Sequence, residues 1–127
     1  MSSVGYHEPV EELSDKTRDM HRAIVSLMEE LEAIDWYQQR ADACTDPALK
    51  AVLLHNRDEE VEHGMMTLEW LRRNDDKFDR FTRRYLFTDA DIIGIEEAAD
   101  EAAAAGEGAP AAAVSDGSLG IRGLRGA

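Results

Sequence analysis

Glu60 and His63 stand three residues apart in Glu60-Val-Glu-His63. On an α-helix, residues three apart share a face, so this spacing points a carboxylate and an imidazole the same way. Hard carboxylate oxygens with one imidazole per metal suit ferrous and ferric iron, and manganese equally. Glu-x-x-His is the spacing by which one helix of a di-iron carboxylate bundle holds its metals, and such a centre also draws a glutamate from a further helix. Glu30 can supply it. Ala23, Leu27, Glu30, Ile34 and Tyr37 fall at four-three-four-three spacing, which sets Glu30 in an apolar frame. An unpaired charge on a buried stripe is costly, and a bound cation removes the cost.

One chain thus carries Glu30, Glu60 and His63, which is half of a di-iron site. Two copies supply four carboxylates and two histidines, and the sum closes in a symmetric dimer with the metals on its two-fold axis. The competing reading is an ordinary solvated face made of Asp58, Glu59, Glu60 and Glu62, on which the spacing arises by chance. Glu29 and Glu32 flank Glu30 and either gather cations on the approach to the site or form a solvated edge. Tyr37 falls on the ligand face, where its hydroxyl either meets water and metal-bound oxygen or serves as an interface aromatic; Trp36 precedes it. His55 and Glu59, four apart, read as a surface pair rather than a metal site. Met28, Met65 and Met66 read as core filler, because soft sulfur does not suit an oxygen-rich iron site.

The elements that must position these groups are helices. Val10, Leu13, Met20, Ile24, Leu27, Leu31 and Ile34, with Thr17 as a polar break, step by threes and fours. This predicts a helix of roughly thirty residues starting near Pro9 and running to about Ala43. Thr45-Asp46-Pro47 is a restart signal, a capping side chain followed by proline at the first helical position. The second helix then runs to about Asn74, with Leu49, Leu53, Asn56, Glu60, His63, Thr67 and Trp70 on its buried face. Asn74-Asp-Asp76 breaks the chain, and residues 77–87 read as a short amphipathic helix with Phe78, Phe81, Tyr85 and Leu86. Thr88 reads as the cap of another helix containing Ile92, Ile93 and Ile95. No segment has a strand pattern. The expected fold is all-α: an antiparallel two-helix hairpin with short C-terminal helices, dimerising into a ferritin-like four-helix bundle. The expected organisation is a helical domain over residues 1–97, a flexible Ala/Gly linker over 98–114 and a terminal peptide over 115–127.

Composition narrows the class. A net charge of −13 over 127 residues argues against nucleic acid, whose phosphates require Lys and Arg. It either draws cations to an acidic cleft or serves plain solubility. About ninety folding residues bury a limited share of their surface, and oligomerisation is a common remedy. The single Cys44 cannot form an internal disulfide and reads as small apolar filler in a reducing cytoplasm. No basic patch with an apolar run opens the chain, and no stretch is long enough to span a bilayer. The expectation is a soluble cytoplasmic protein. The terminal peptide places Leu119, Ile121 and Leu124 in a glycine-rich setting. Spaced apolar anchors on a flexible lead describe a docking peptide that orders on contact; the alternative is a frayed end with incidental leucines.

The stretches Met28-Glu-Glu-Leu-Glu-Ala-Ile-Asp-Trp-Tyr37, His55-Asn-Arg-Asp-Glu-Glu-Val-Glu-His63 and Met66-Thr-Leu-Glu-Trp-Leu-Arg-Arg-Asn74 resemble the encapsulated ferritins, ferroxidases housed in encapsulin nanocompartments. Asp116-Gly-Ser-Leu-Gly-Ile-Arg-Gly-Leu124 looks like an encapsulin cargo-loading peptide. The resemblance implies Glu30, Glu60 and His63 as ferroxidase ligands, Glu29 and Glu32 as a cation-uptake site, and Trp36 and Tyr37 as neighbouring aromatics. It implies ferrous iron and dioxygen as reactants at one di-iron centre per dimer, dimers assembled into an open decameric ring, and an encapsulin shell that stores the iron. Val61 and Gly64 depart from the family pattern around His63, and a mid-helix glycine costs about 1 kcal/mol relative to alanine. Two rival functions remain: a metal-stapled assembly module without turnover, and a rubrerythrin-like di-iron peroxidase, against which the lack of cysteine pairs counts.

Overall fold

Ser14 decides where the first long helix begins. The Thr17 N–H donates to its hydroxyl at 3.0 Å, satisfying one of the donors that a helix start leaves without a partner. The computed structural model describes residues 5–106. Over them α1 spans Asp15–Ala43, α2 Pro47–Asn74, α3 Asp76–Tyr85 and α4 Ile92–Ala105. A short 3-10 turn, Val10–Glu12, precedes α1, and no strand occurs among the described residues. The all-α hairpin expected from the sequence is what forms.

The start of α1 differs from expectation by about a turn and a half. The apolar spacing carries the pattern back to Pro9, yet Leu13 and Ser14 are extended. The Arg18 guanidinium donates to the Val10 carbonyl at 3.2 and 2.8 Å, and the Tyr6 ring lies 4.4 Å from that of His21. Residues 6–13 therefore fold back beside the first turns of α1 instead of prolonging it. Helical spacing alone cannot separate these outcomes; the cap decides between them.

The chain divides into two compact units, the first ending at Asn74 and the second beginning at Asp75. In the first, α1 and α2 pack as an antiparallel hairpin. Asp46 accepts the Leu49 N–H at 2.8 Å and Pro47 takes the first helical position, where a missing N–H costs nothing. On α1 the seam runs through Met20, Ala23, Leu27, Glu30, Ile34 and Tyr37, all half-buried, to the buried Ala41. On α2 its centre is the buried pair Gly64 and Leu71. The stripe expected on α2 is thus turned by one residue: Leu49 and Trp70 are exposed, and Glu60, His63 and Thr67 lie along one edge of the seam. At the end of α2, hydrogen bonds from Arg72 and then Arg73 lower the Glu69 carboxyl to about 2. What this contributes is present above the ordinary carboxylate range and is lost as pH falls toward that value; with Glu69 41% exposed, it is small.

In the second unit, Asp75 caps α3 by accepting the Lys77 and Phe78 N–H groups at 2.9 and 3.0 Å. Thr88 was expected to cap the next helix. Its hydroxyl instead donates back to the Tyr85 carbonyl at 2.8 Å, closing the end of α3, and Asp91 caps α4 by accepting the Gly94 N–H at 2.9 Å. α4 continues past Glu97 to Ala105, so residues 98–105, expected to open the linker, are helical. Alanine has the best helix propensity of all residues, and a run of it with glutamate folds where composition suggests a tether. Residues 107–114 and 115–127 lie outside the described residues.

Asp46→Ala removes the cap of α2 and is expected to lower stability by about 1 kcal/mol. The check is the urea midpoint by circular dichroism at fixed protein concentration. An unshifted midpoint would show that Pro47 alone starts the helix.

Candidate metal centre

The register of α1 against α2 brings three side chains from distant parts of the chain to one point. Glu30 reaches across from α1; Glu60 and His63 come from successive turns of α2. One ligand atom from each lies within 4.8 Å of the others. His63 Nδ1 is 3.8 Å from Glu60 Oε1, too far for a hydrogen bond and a spacing that an ion can bridge. All three are half-buried, Glu60 at 27% and His63 at 43% exposure. The residues singled out by spacing in the sequence are therefore the ones that meet.

Glu30 is also held. The Thr67 hydroxyl lies 3.2 Å from Glu30 Oε1, to which it donates, and 3.2 Å from the His63 carbonyl. Gly64, whose helix propensity is poor, interrupts nothing, since α2 is continuous through it. A methyl group there would meet Leu27 Cδ1 at 3.5 Å and Glu30 Cβ at 4.0 Å, so Gly64 sits where α1 passes close. Beside His63 Nε2 stands Glu59, whose Oε1 is 3.9 Å away, while its other oxygen is 3.9 Å from His55 Nε2. Sequence reasoning did not single out Thr67 beyond its place on the stripe. Its only signal there was falling four residues after His63.

The remaining expected residues sit outside this trio. Glu29 and Glu32 are exposed on α1, beside Glu30 but not among the converging ligand atoms. Tyr37 is half-buried on the Glu30 side of α1, with the Arg40 guanidinium 5.5 Å over its ring. Trp36 is 49% exposed and lines a shallow surface with Gln39 and Arg40. Cys44 is half-buried, its thiol 3.6 Å from the Asp46 carbonyl in the hairpin turn. Leu119, Ile121 and Leu124 lie outside the described residues.

Two carboxylates and one imidazole, open on one side and held from the other, fit iron or manganese. They leave coordination positions unfilled, and a second identical set would fill them. Fold and trio together define a ferritin-like helical hairpin with a Glu-Glu-His group that could hold a metal ion. The EncFtn-like family model matches residues 5–89, and the chain belongs to this family, as the resemblance implied. It is 58% identical to the encapsulated ferritin-like protein of Rhodospirillum rubrum, a match covering 98% of this chain and 91% of that protein. The ferritin-like protein of Thermotoga maritima is 55% identical over 72% of this chain and 81% of its own length. Among solved structures, a protein from Nitrosomonas europaea superposes with a TM-score of 0.68 at 64% identity, covering 69% of this chain and 97% of that one. No described helix is long and apolar enough to cross a membrane.

A methyl group at Gly64 fits within ordinary contact distances. Gly64→Ala is therefore expected to raise stability by up to about 1 kcal/mol, whereas Gly64→Leu overpacks the seam and lowers it by about 1–3 kcal/mol. Thermal melts read both. A destabilised Gly64→Ala would mean that Leu27 and Glu30 cannot give way at all.

Proposed function

We propose that this protein is a ferroxidase. It takes ferrous iron as substrate and passes the electrons to dioxygen at a di-iron centre shared by two copies of the chain. The observation that carries this reading is the convergence of Glu30, Glu60 and His63 on one edge of the helical seam. When bound there, iron supplies the one-electron chemistry; the chain supplies the donors and their placement. Glu30 and Glu60 offer hard oxygens that tolerate both oxidation states, and His63 adds a neutral nitrogen. Glu29 and Glu32, exposed beside Glu30 in a chain of net charge −13, gather cations at the approach. Tyr37 and Trp36 border the site along α1.

The second copy is favoured by what surrounds the trio. Met66 and Trp70 continue the His63 side of α2 at three- and four-residue spacing, and they are 59% and 38% exposed. Aromatic side chains are over-represented among interface anchors, so a mating surface there would complete the ligand set and cover both residues. Ile24, Met28 and Leu31 form another exposed stripe on α1, which supports a second contact and hence a ring of dimers, a decamer in the family resemblance. Residues 115–127, with Leu119, Ile121 and Leu124, act in this reading as the peptide that binds an encapsulin shell, so that iron is oxidised inside a nanocompartment. In support, the match to the encapsulated relative extends over 98% of the chain, too much to leave those residues out.

Glu30→Ala, Glu60→Ala and His63→Ala are each expected to slow iron oxidation by about a hundredfold or more, since losing even an outer partner of a metal ligand costs about 10–100-fold. Dioxygen consumption after repeated ferrous additions measures this. Unchanged consumption in all three variants would end the proposal. A single stoichiometric burst in the unmodified protein would point to a metal staple, and a preference for peroxide to a rubrerythrin-like peroxidase. Deleting residues 115–127 is expected to leave oxidation intact and to abolish co-purification with the shell. Equal recovery of the truncated protein would refute the targeting role.

A further inference from the structure

We infer that Thr67 is a positioning residue: its hydroxyl anchors the Glu30 carboxylate of α1 to the turn of α2 that carries His63, assembling the half-site before any cation or second copy arrives. The inference rests on the metal-centre reading above and concerns how that centre is preset.

A threonine inside a helix ordinarily returns its hydroxyl to the carbonyl four residues back. For Thr67 that carbonyl belongs to His63, and it lies 3.2 Å away. Glu30 Oε1 lies at the same 3.2 Å. The hydroxyl has one proton to donate, and a bond to a carboxylate is charge-assisted and about twice as strong as one to a neutral carbonyl. The proton therefore goes predominantly to Glu30. Three residues earlier, Gly64 faces the same carboxylate: a methyl group there would sit 4.0 Å from Glu30 Oε1, in ordinary contact, and only a longer side chain would crowd it. Gly64 and Thr67 together form a seat: one leaves the room, the other provides the bond.

The consequence is chemical. A glutamate on a half-exposed edge has several rotamers to lose on binding a cation, and anchoring it beforehand removes much of that loss. The bond uses one lone pair of one oxygen, so the carboxylate retains acceptor sites for metal. All three ligands become tied to adjacent turns of α2, although Glu30 and Thr67 are 37 residues apart in sequence.

The test uses the full-length protein without added iron, titrated anaerobically with Co(II) in competition with a chelator. Co(II) reports its donor set through visible absorption bands and needs no turnover. Thr67→Val keeps the shape and removes the hydroxyl; it is expected to weaken Co(II) binding by about 10–100-fold, the usual effect of losing a ligand's hydrogen-bond partner, and to shift the bands. Thr67→Ser, which keeps the hydroxyl, is expected to restore both. Wild-type affinity and bands in Thr67→Val would overturn the inference, as would Thr67→Ser binding as weakly as Thr67→Val. Circular dichroism verifies folding, and Thr67→Ala replaces the valine variant, with the same expectation, if that variant does not fold. Glu30→Ala and His63→Ala serve as controls. If they bind Co(II) like wild type, the metal-centre reading falls; if they lose it while Thr67→Val does not, only the role of Thr67 falls.

Discussion

Two carboxylates held within ion-binding range of each other are the constraint that organises this hairpin. Glu30, Glu60 and His63 bring one ligand atom each within 4.8 Å at a half-buried edge of the seam, where water screens like charges less than in bulk solvent. Isolated on one helix, either glutamate could turn outward to water. Here the register of the two helices keeps them facing His63, and one donated proton from Thr67 offsets part of the cost at Glu30. Cation binding would relieve the remainder. For that reason any metal affinity here is also energy that clamps α1 to α2.

The seam that sets this register buries few side chains completely. Ala41 and Leu71 are the buried apolar residues of the described chain, and both are far from the bulk that a self-sufficient core requires. The seam is narrow because it is built around small residues at Ala41 and Gly64, which let the helices approach closely. Larger apolar side chains stand on either flank: Ile24, Met28 and Leu31 on α1, Met66 and Trp70 on α2. Family membership and the exposed apolar flanks accord with the proposal that other copies of the chain finish the packing.

Much of this was legible in the residues. Glu-x-x-His and a glutamate in an apolar frame named the trio, because three- and four-residue spacing translates directly into shared faces. Thr45-Asp46-Pro47 announced α2 because proline and a capping carboxylate act locally. Where two local signals competed, spacing was insufficient. Val10 and Leu13 fitted the period of α1, yet the Ser14 cap and the Arg18 bond to Val10 took precedence. Thr88 read as the cap of the last helix, yet its hydroxyl closes α3 and Asp91 caps α4. The alanine-rich stretch after Glu97 read as tether by composition, although its propensity is helical. The seam's turn toward Gly64 was hidden for a different reason. A glycine offers no apolar side chain to count, so a stripe drawn from side chains passes to one side of it. The Thr67 bond spans 37 residues, beyond the reach of any local pattern.

A ligand set divided between chains has a kinetic arithmetic of its own. If three donors from each of two copies make the proposed centre, loading would depend on two molecules meeting as well as on the ion, and would follow the square of chain concentration when copies are dilute. Dilution would therefore empty such a centre, and confinement of many copies in a small volume would fill it. A polypeptide that carries a whole centre on four helices of its own has no comparable sensitivity to crowding.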